Sequence, residues 1–527
     1  MSEQEEEKSQ RPNHPPEGAA THERAMAKLV HWFDNRLGLS YELLRPAPVY
    51  SVNPFYWLGA LAVVAFAIQG VTGAIMMIYY IPTPLQAYSS TLYIFQNVSY
   101  GRFLETVHLY TAYAMIMLAF MHMMRGYFVS VNKKPRELMW ITGMVMGFVT
   151  LGFGFTGYLL PWTVVSKSAT DVGVGMMAAL PQPLSGFIQF LVVGGGTDSG
   201  TILRFYDLHV VVLPGVLLLL LVGKMYMLEA HGVSEPVAGQ VPLPEKKRRL
   251  IPIFPDLTIY LLELAAMFGT AMLLISLAFP LDLAPEYTPT LAAQYASQPD
   301  WYFLWIYQVL KIQVFEGPGL TVALGLVSVI FVALVLLPFL DRGTTRRIAA
   351  RMRWVTLGLI FVGEVAVLTV WGYLTPGAII PTEQAALVLG ATAIIIALVS
   401  AGAYKVIFRK LPVGTSSSDA ASPASPASPA SSGAPYATRS FNTASLWTAT
   451  SFVALLTLGT FGIGGAISGA VQLISQGIRV STLWSLSLSF AELSVAIAGT
   501  VYLLYRLDLG TGSIRRRVKA FEVGWKQ

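Results

Sequence analysis

Long apolar stretches, separated by short polar segments, follow one another along most of this chain. A helix needs about 20 residues to cross roughly 30 Å of hydrocarbon, and ten of the stretches reach that length. The pattern therefore predicts an all-α integral membrane protein with about ten spans. The predicted spans cover residues 53–80, 103–130, 138–160, 205–230, 257–280, 319–340, 353–375, 384–407, 445–473 and 482–506.

The positive charges indicate how the spans are oriented. The loops after the second, fourth, sixth and eighth spans are rich in lysine and arginine, as in the group Lys133, Lys134 and Arg136, and the alternate loops hold only scattered ones. Cytoplasmic loops of membrane proteins carry such an excess. The pattern predicts a multi-pass protein of the cell membrane with both termini in the cytoplasm. The acidic, proline-rich N-terminus has no apolar core, so no cleaved signal peptide is expected.

Composition supports this assignment and removes several kinds of chemistry. The 527 residues are 54% hydrophobic and only 12% charged, against about a quarter charged in soluble proteins. The net charge of +6 is spread over the loops, so no nucleic-acid partner is expected. There is no cysteine, which excludes disulfides, iron–sulfur ligation and thioether haem attachment within this chain.

Composition shifts also divide the chain into segments. Two long outer loops, at roughly 161–204 and 281–318, contain apolar stretches too short to span, which predicts helices near the outer surface. A Ser/Ala/Pro-rich segment reads as a linker. The predicted division is a cytoplasmic N-terminal tail and amphipathic segment at 1–50, a four-helix core at 51–235, a four-span second half at 236–411, the linker at 412–442, a two-span hairpin at 443–507 and a basic tail at 508–527.

Three histidines lie deep inside predicted spans: His108, His122 and His209. Ionisable residues at that depth are costly and usually functional. His108 and His122 are 14 residues apart, which places them on one helix face about 21 Å apart. This separation suits two haems stacked across a bilayer. The alternative is a pair of polar side chains that neighbouring helices satisfy.

Glycines in the two flanking spans repeat the same interval. Gly59 and Gly73 are 14 residues apart, as are Gly143 and Gly157. Small residues allow a bulky group to approach a helix closely. Three adjacent spans with one shared 14-residue period favour the two-haem interpretation.

Several motifs in register with these residues resemble cytochrome b of the cytochrome bc and bf complexes, over roughly residues 50–340. Gln69, Thr72 and Gly73 match the first span, and Arg125 with Gly126 follows His122. The segment GYLLPW at 157–162 resembles the end of the third span. The most specific match, PDWY at 299–302, resembles the quinol-site PEWY motif with Asp in place of Glu.

The resemblance implies a haem-binding four-helix bundle in which spans two and four run parallel. His108 and His209 would ligate the outer haem, and His122 one side of the inner haem. Lys224 stands where the bf-type spacing places the fourth ligand, a histidine in the family. A neutral amine can ligate iron; alternatively Lys224 extends to the cytoplasmic surface and leaves the iron five-coordinate or the haem absent. The haem type, b or a modified a, stays open.

The same resemblance implies quinol oxidation at the outer face. Asp300 is the candidate proton acceptor, and its alternative role is a helix N-cap. Tyr302 and Tyr158 would position the quinol or a water. Implied partners are membrane quinone, the lipid bilayer, a Rieske iron–sulfur protein, a cytochrome c-type subunit or terminal oxidase subunits, and a second copy of the chain in a homodimer.

Other positions depart from the family. Glu229, Phe254 and Leu261 replace the usual His and Asp pattern of the inner quinone site, which puts that site in doubt. Glu105 replaces an arginine near a haem propionate, a repulsive arrangement unless a proton or Arg102 intervenes. Two other functions remain as alternatives: a dihaem membrane anchor of another respiratory dehydrogenase, and an ion or solute transporter.

Overall fold

The computed structural model describes residues 46–194, 198–234, 250–253, 257–295, 298–343, 345–346 and 348–404. The linker, the last two predicted spans, both predicted tails (apart from residues 46–50) and Phe254 lie outside the described residues. The described residues are mainly helical. The helices are α1 (Leu58–Met77), α2 (Ala87–Asn97), α3 (Gly101–Phe128), α4 (Glu137–Leu159), α5 (Val164–Ala178), α6 (Leu184–Val193), α7 (Asp198–His231), α8 (Thr258–Ala278), α9 (Pro289–Ala292), α10 (Trp301–Leu310), α11 (Gly319–Val335), α12 (Leu337–Leu340), α13 (Met352–Leu374) and α14 (Thr382–Ala403).

Seven of these described helices are long and apolar enough to cross a membrane: α1, α3, α4, α7, α8, α13 and α14. The 17-residue apolar helix α11 coincides with the sixth predicted span. These eight helices match the first eight predicted spans in order, which confirms the all-α membrane class. Prolines explain why α1 starts later, and α11 ends earlier, than the corresponding predicted spans. Asn53 caps a short turn that starts at Pro54, so α1 begins only at Leu58. Pro338 lacks the N–H of a helix interior, and α11 ends before it.

Helix α7 is longer than the predicted fourth span and is wider at one point. Residues Leu208–Val212 form a π-helical segment, in which the N–H of Leu213 donates to the carbonyl of Leu208. Pro214 follows at once, and a proline clashes with the carbonyl four residues before it, so the wider turn accommodates the ring. His209 lies within this segment. π-Segments are frequent at functional sites because they re-aim side chains.

The first four long helices pack against one another. Helix α3 lies against α1 and α4, and α4 lies against α7. Helix α13 packs against α10, α14 and α3, which brings the second half of the chain onto the bundle.

The predicted helices in the two long loops are present as α5, α6, α9 and α10. Trp162 ends α4 in a left-handed conformation (φ 52°) and is buried against Leu159 and Phe205. Thr163 and Ser166 then form a capping box that starts α5. The GYLLPW segment is thus a sharp helix-to-helix turn held by one buried tryptophan.

By compactness the described residues divide into two units, one with residues 46–52, 250–253 and 257–262, the other with the rest. In the described residues of the first unit, Pro46–Pro48 (β1) pairs antiparallel with Leu250–Pro252 (β2). All the site residues below belong to the second unit.

Candidate functional site

Each of the two histidines predicted for the outer level faces one of the periodic glycines. A Cβ placed on Gly73 would lie 3.3 Å from Cε1 of His108, and one on Gly157 would lie 2.5 Å from Cε1 of His209. The centroids of the two imidazole rings are 6.3 Å apart. The structure therefore brings His108 and His209 together, from α3 and α7, between two helix surfaces that have room because they carry no side chain there.

The inner level repeats this arrangement with a lysine in one place. A Cβ on Gly59 would lie 3.1 Å from Cε1 of His122, and one on Gly143 would lie 2.7 Å from Nζ of Lys224. The Lys224 side chain thus extends into the bundle, against α4, rather than away from it. Lys224 and Arg125 are the charged groups whose fields act most strongly on His122.

These pairings fix the directions of the four helices. Gly59 and Gly143 lie near the starts of α1 and α4, whereas His122 and Lys224 lie near the ends of α3 and α7. Helices α3 and α7 therefore run parallel to each other and opposite to α1 and α4. The two levels are 14 or 15 residues apart on every helix, which is about 21 Å of helix axis.

Threonine hydroxyls set the tautomers of the outer histidines. The Thr72 hydroxyl donates to the carbonyl of Ile68 (2.7 Å), so at 2.8 Å from Nδ1 of His108 it accepts the ring N–H. Thr156 donates to Gly152 and lies 3.2 Å from Nδ1 of His209. The Phe153 backbone also hydrogen-bonds to His209. A neutral ring with its proton on Nδ1 keeps its lone pair on Nε2, and metal-binding histidines are usually held in this way.

The bundle residues fit the haems that the resemblance implies. The 6.3 Å between the His108 and His209 ring centroids leaves room for one metal ion with an imidazole nitrogen on each side, at bonds of about 2 Å. At the inner level Nδ1 of His122 is buried without a hydrogen-bond partner in the described part of the chain. Arg125 is held nearby by its guanidinium, 4.0 Å above the Tyr56 ring.

The predicted proton acceptor lies at a second place, the N-terminus of α10. Asp300 is the N-cap residue of this helix and accepts the N–H of Trp301 at 3.2 Å. The cap that was the alternative role of Asp300 is therefore present, but it does not occupy both carboxyl oxygens. The Tyr113 hydroxyl lies 3.0 Å from Oδ1 and 2.8 Å from Oδ2.

Tyrosines from four helices surround this carboxyl. The charge of Asp300 acts on Tyr158 of α4, Tyr302 of α10 and Tyr373 of α13, in addition to Tyr113 of α3. Tyr302 donates to the carbonyl of Gly154 (3.1 Å) and is 7% exposed. Burial raises the pKa of Asp300 to about 6, and the hydrogen bonds from Tyr113 and the Trp301 N–H oppose the rise. A carboxyl with this pKa can take up and release a proton near neutral pH.

Some site residues were not predicted. Thr156 could have been found, because it precedes Gly157 as Thr72 precedes Gly73. Tyr113 carried no signal in the sequence, since its contact with Asp300 spans 187 positions. The structure also bears on Glu105. Arg102 pairs with Asp282 at 2.6 Å and donates to the carbonyl of Leu281, so its side chain is engaged elsewhere.

The helices and the two levels define a class, a multi-pass membrane protein with a four-helix bundle that pairs polar side chains at two depths. Comparison with known families makes this more specific. The model of the N-terminal part of cytochrome b and b6 matches residues 113–289, and that of the C-terminal part of cytochrome b matches residues 290–397. The chain belongs to the cytochrome b family.

Individual relatives agree. The chain is similar to the cytochrome b subunit of a cytochrome bc complex from Chlorobaculum thiosulfatiphilum, with 33% identity covering 59% of this chain and 73% of the relative. It is 29% identical to cytochrome b of Sulfolobus acidocaldarius, covering 69% of each. Cytochrome b6 of a Picosynechococcus is 35% identical over 41% of this chain and 99% of its own length.

Among solved structures, a chain of a hyperthermophilic respiratory complex III matches with a TM-score of 0.57 and 25% identity, covering 71% of this chain and 97% of the other. The expectation of a multi-pass protein of the cell membrane is confirmed. The chain is a cytochrome b subunit of the bc type, within the oxidoreductases. Neither the dehydrogenase anchor nor the transporter is supported.

Proposed function

We propose that this cytochrome b oxidises quinol at the outer end of the bundle. The observation that carries the proposal is the buried Asp300 carboxyl, held at the start of α10 among tyrosines from α3, α4, α10 and α13. A buried carboxyl that can accept a proton, beside several phenols, suits a quinol, which is an apolar ring with two hydroxyls to bind and deprotonate. Membership of the family supports the same reaction.

Quinol oxidation removes two protons and two electrons. In the proposed mechanism the Asp300 carboxylate accepts one proton from a quinol hydroxyl and releases it to the outer side. Tyr302, held by its bond to Gly154, and Tyr158 orient the ring or a water. The second quinol proton is also released to the outer side. One electron leaves to a Rieske protein, and the other passes inward through the bundle. The separation of charge across the membrane would contribute to a proton-motive force.

The bundle residues are proposed to hold two haems. His108 and His209 would provide two imidazoles for the outer haem, and His122 with Lys224 an imidazole and an amine for the inner haem. Gly59, Gly73, Gly143 and Gly157 would leave room for the rings, and Arg125 would lie beside the inner haem. When bound, low-spin haems supply one-electron transfer across the membrane.

The proposed assembly contains further chains. With no cysteine here, the Rieske cluster must lie on a separate subunit, as must a cytochrome c-type subunit or terminal oxidase subunits that take the electrons onward. We also propose that the subunit forms a homodimer, and that the chain divides into a four-helix core at 51–235 and a second half at 236–411. The two family models meet at residues 289 and 290, within the second of those segments.

Asp300 provides the test. Asp300→Asn removes the proton acceptor but keeps the side-chain shape, so we expect quinol oxidation in the purified complex to slow at least tenfold with an unchanged haem spectrum. Asp300→Glu, which restores the common family residue, should retain most activity. Normal turnover of the Asn variant across the pH range would show that Asp300 is only a helix cap.

A further inference from the structure

The hydroxyl of Tyr113 is within hydrogen-bond distance of both oxygens of the Asp300 carboxyl, at 3.0 and 2.8 Å. Tyr113 lies on α3, the helix that also carries His108 and His122. Its ring packs edge-on against Trp301 at 6.2 Å and lies 6.3 Å from Tyr302. The contact thus joins the haem-ligand helix to the segment proposed to bind quinol.

The geometry gives the hydroxyl one role. A carboxylate can only accept, so the phenol must be the donor, and it is shared between the two oxygens. Together with the Trp301 N–H, it fixes the plane of the carboxyl at the start of α10. A donor to the charged form favours that form, which is the form that can accept a proton.

The other groups that face Asp300 would not mask this effect. Tyr158 of α4, Tyr302 of α10 and Tyr373 of α13 are phenols, uncharged where a carboxyl titrates. Burial has the largest effect on the pKa of Asp300. Among the described residues, the groups that also shift this pKa are Tyr113 and the Trp301 N–H, and no charged side chain is among them.

We propose that Tyr113 is a positioning residue for quinol oxidation, whose hydroxyl holds the Asp300 carboxyl in place and keeps it ionised to a lower pH. This inference rests on the proposed role of Asp300 as proton acceptor. Tyr113 does not itself exchange a proton with the substrate; it sets the pH at which Asp300 can do so.

The test is the pH profile of quinol oxidation by the purified complex carrying Tyr113→Phe. The ring and its packing remain, and only the donor is lost, so the pKa of Asp300 should rise. The acid limb of kcat should move up by about one pH unit, with a rate below the midpoint about tenfold lower than in the parent. At alkaline pH, where Asp300 is ionised in both proteins, the rates should agree within about twofold.

Tyr110→Phe is the matched control. Tyr110 lies on the same helix, and its hydroxyl donates to the carbonyl of Phe279 at 2.8 Å instead of to Asp300. Its loss should leave the acid limb in place. A second probe keeps the hydroxyl group in place. 3-Fluorotyrosine at position 113 is a stronger hydrogen-bond donor than tyrosine and should move the acid limb to lower pH. The infrared band of the Asp300 carboxyl can be assigned by its loss in Asp300→Asn. Its titration midpoint should shift with the acid limb in each variant, and it can be measured even in a variant without activity.

The outcomes separate this inference from the proposed function. If Asp300→Asn abolishes the acid limb but Tyr113→Phe and the fluorinated residue leave it unmoved, the positioning role of Tyr113 is wrong and Asp300 remains the acceptor. If the acid limb persists in Asp300→Asn, the acceptor role itself is wrong. Opposite shifts in the two Tyr113 proteins, with none in Tyr110→Phe, are the expected result.

Discussion

At the scale of single residues, Lys224 occupies the position where the family resemblance implies a histidine. Its Nζ extends against Gly143, as the imidazole of His209 extends against Gly157 one level away. A lysine that reached for the cytoplasmic surface would not approach that helix. The side chain is therefore placed like a ligand, although its residue type is that of a surface cation.

Substitution of Lys224 tests this placement. Lys224→Ala should convert the inner haem to a high-spin, five-coordinate form or lose it, because only His122 would remain as an axial ligand. Lys224→His should keep the haem and shift its electron spin resonance and near-infrared dichroism towards bis-imidazole ligation. In the same spectra the outer haem should be unchanged in both variants, and His209→Ala should remove it. An unaltered inner haem in Lys224→Ala would mean that the ligand lies elsewhere.

At the scale of elements, α1 and α4 contribute glycines, which leave space for the histidine and lysine side chains of α3 and α7. Alanine normally stabilises a helix by about 1 kcal/mol relative to glycine, so the four periodic glycines are unfavourable for helix formation alone. The structure gives the compensation, because a Cβ at Gly157 or Gly143 would lie within 2.5 and 2.7 Å of His209 and Lys224.

Alanine at these positions should therefore reduce haem content despite its better helix propensity. We expect Gly157→Ala to displace the His209 ring and lose most of the outer haem, and Gly143→Ala to affect the inner haem. Pyridine haemochrome quantification measures both. Gly147→Ala, on the same helix with nothing within 4 Å of its Cβ, is the control and should retain two haems. Equal haem loss from all three variants would contradict the interpretation that Gly143 and Gly157 make room for the ligand side chains.

At the scale of the whole molecule, an ion cluster joins the regions matched by the two family models. Asp341 pairs with Lys133 at 2.6 Å and accepts from Nε of Arg351 at 2.7 Å, and Arg351 also donates to Ser130. The Asp341 side chain is only 3% exposed. Lys133 follows α3, whereas Asp341 and Arg351 lie between α11 and α13, so the cluster connects the four-helix bundle to the second half of the chain.

Removing the shared carboxylate leaves two cations facing each other with little water. Asp341→Ala should lower stability by about 3–5 kcal/mol, the usual loss when one partner of a buried pair is deleted. Thermal unfolding of the purified complex, followed by haem release, should show a clearly lower midpoint. Asp282→Ala, which breaks the exposed pair with Arg102, should leave the midpoint unchanged. Similar midpoints for the two variants would indicate that the cluster does not hold the halves together.

The sequence by itself predicted the membrane class, the first eight long apolar helices and the shared 14-residue interval of the histidines and glycines. Span length follows from bilayer thickness, and the 14-residue interval follows from helix geometry, so both are local properties that periodicity reveals. His108 and His122 needed no partner to be recognised as a pair. The same local logic places Gly59 with Gly73 and Gly143 with Gly157.

The tertiary structure decided which glycine faces which ligand, that Lys224 turns into the bundle, and that Tyr113 reaches Asp300. Each depends on packing between helices far apart in the chain, and the direction of a side chain around a uniformly apolar helix leaves no trace in hydropathy.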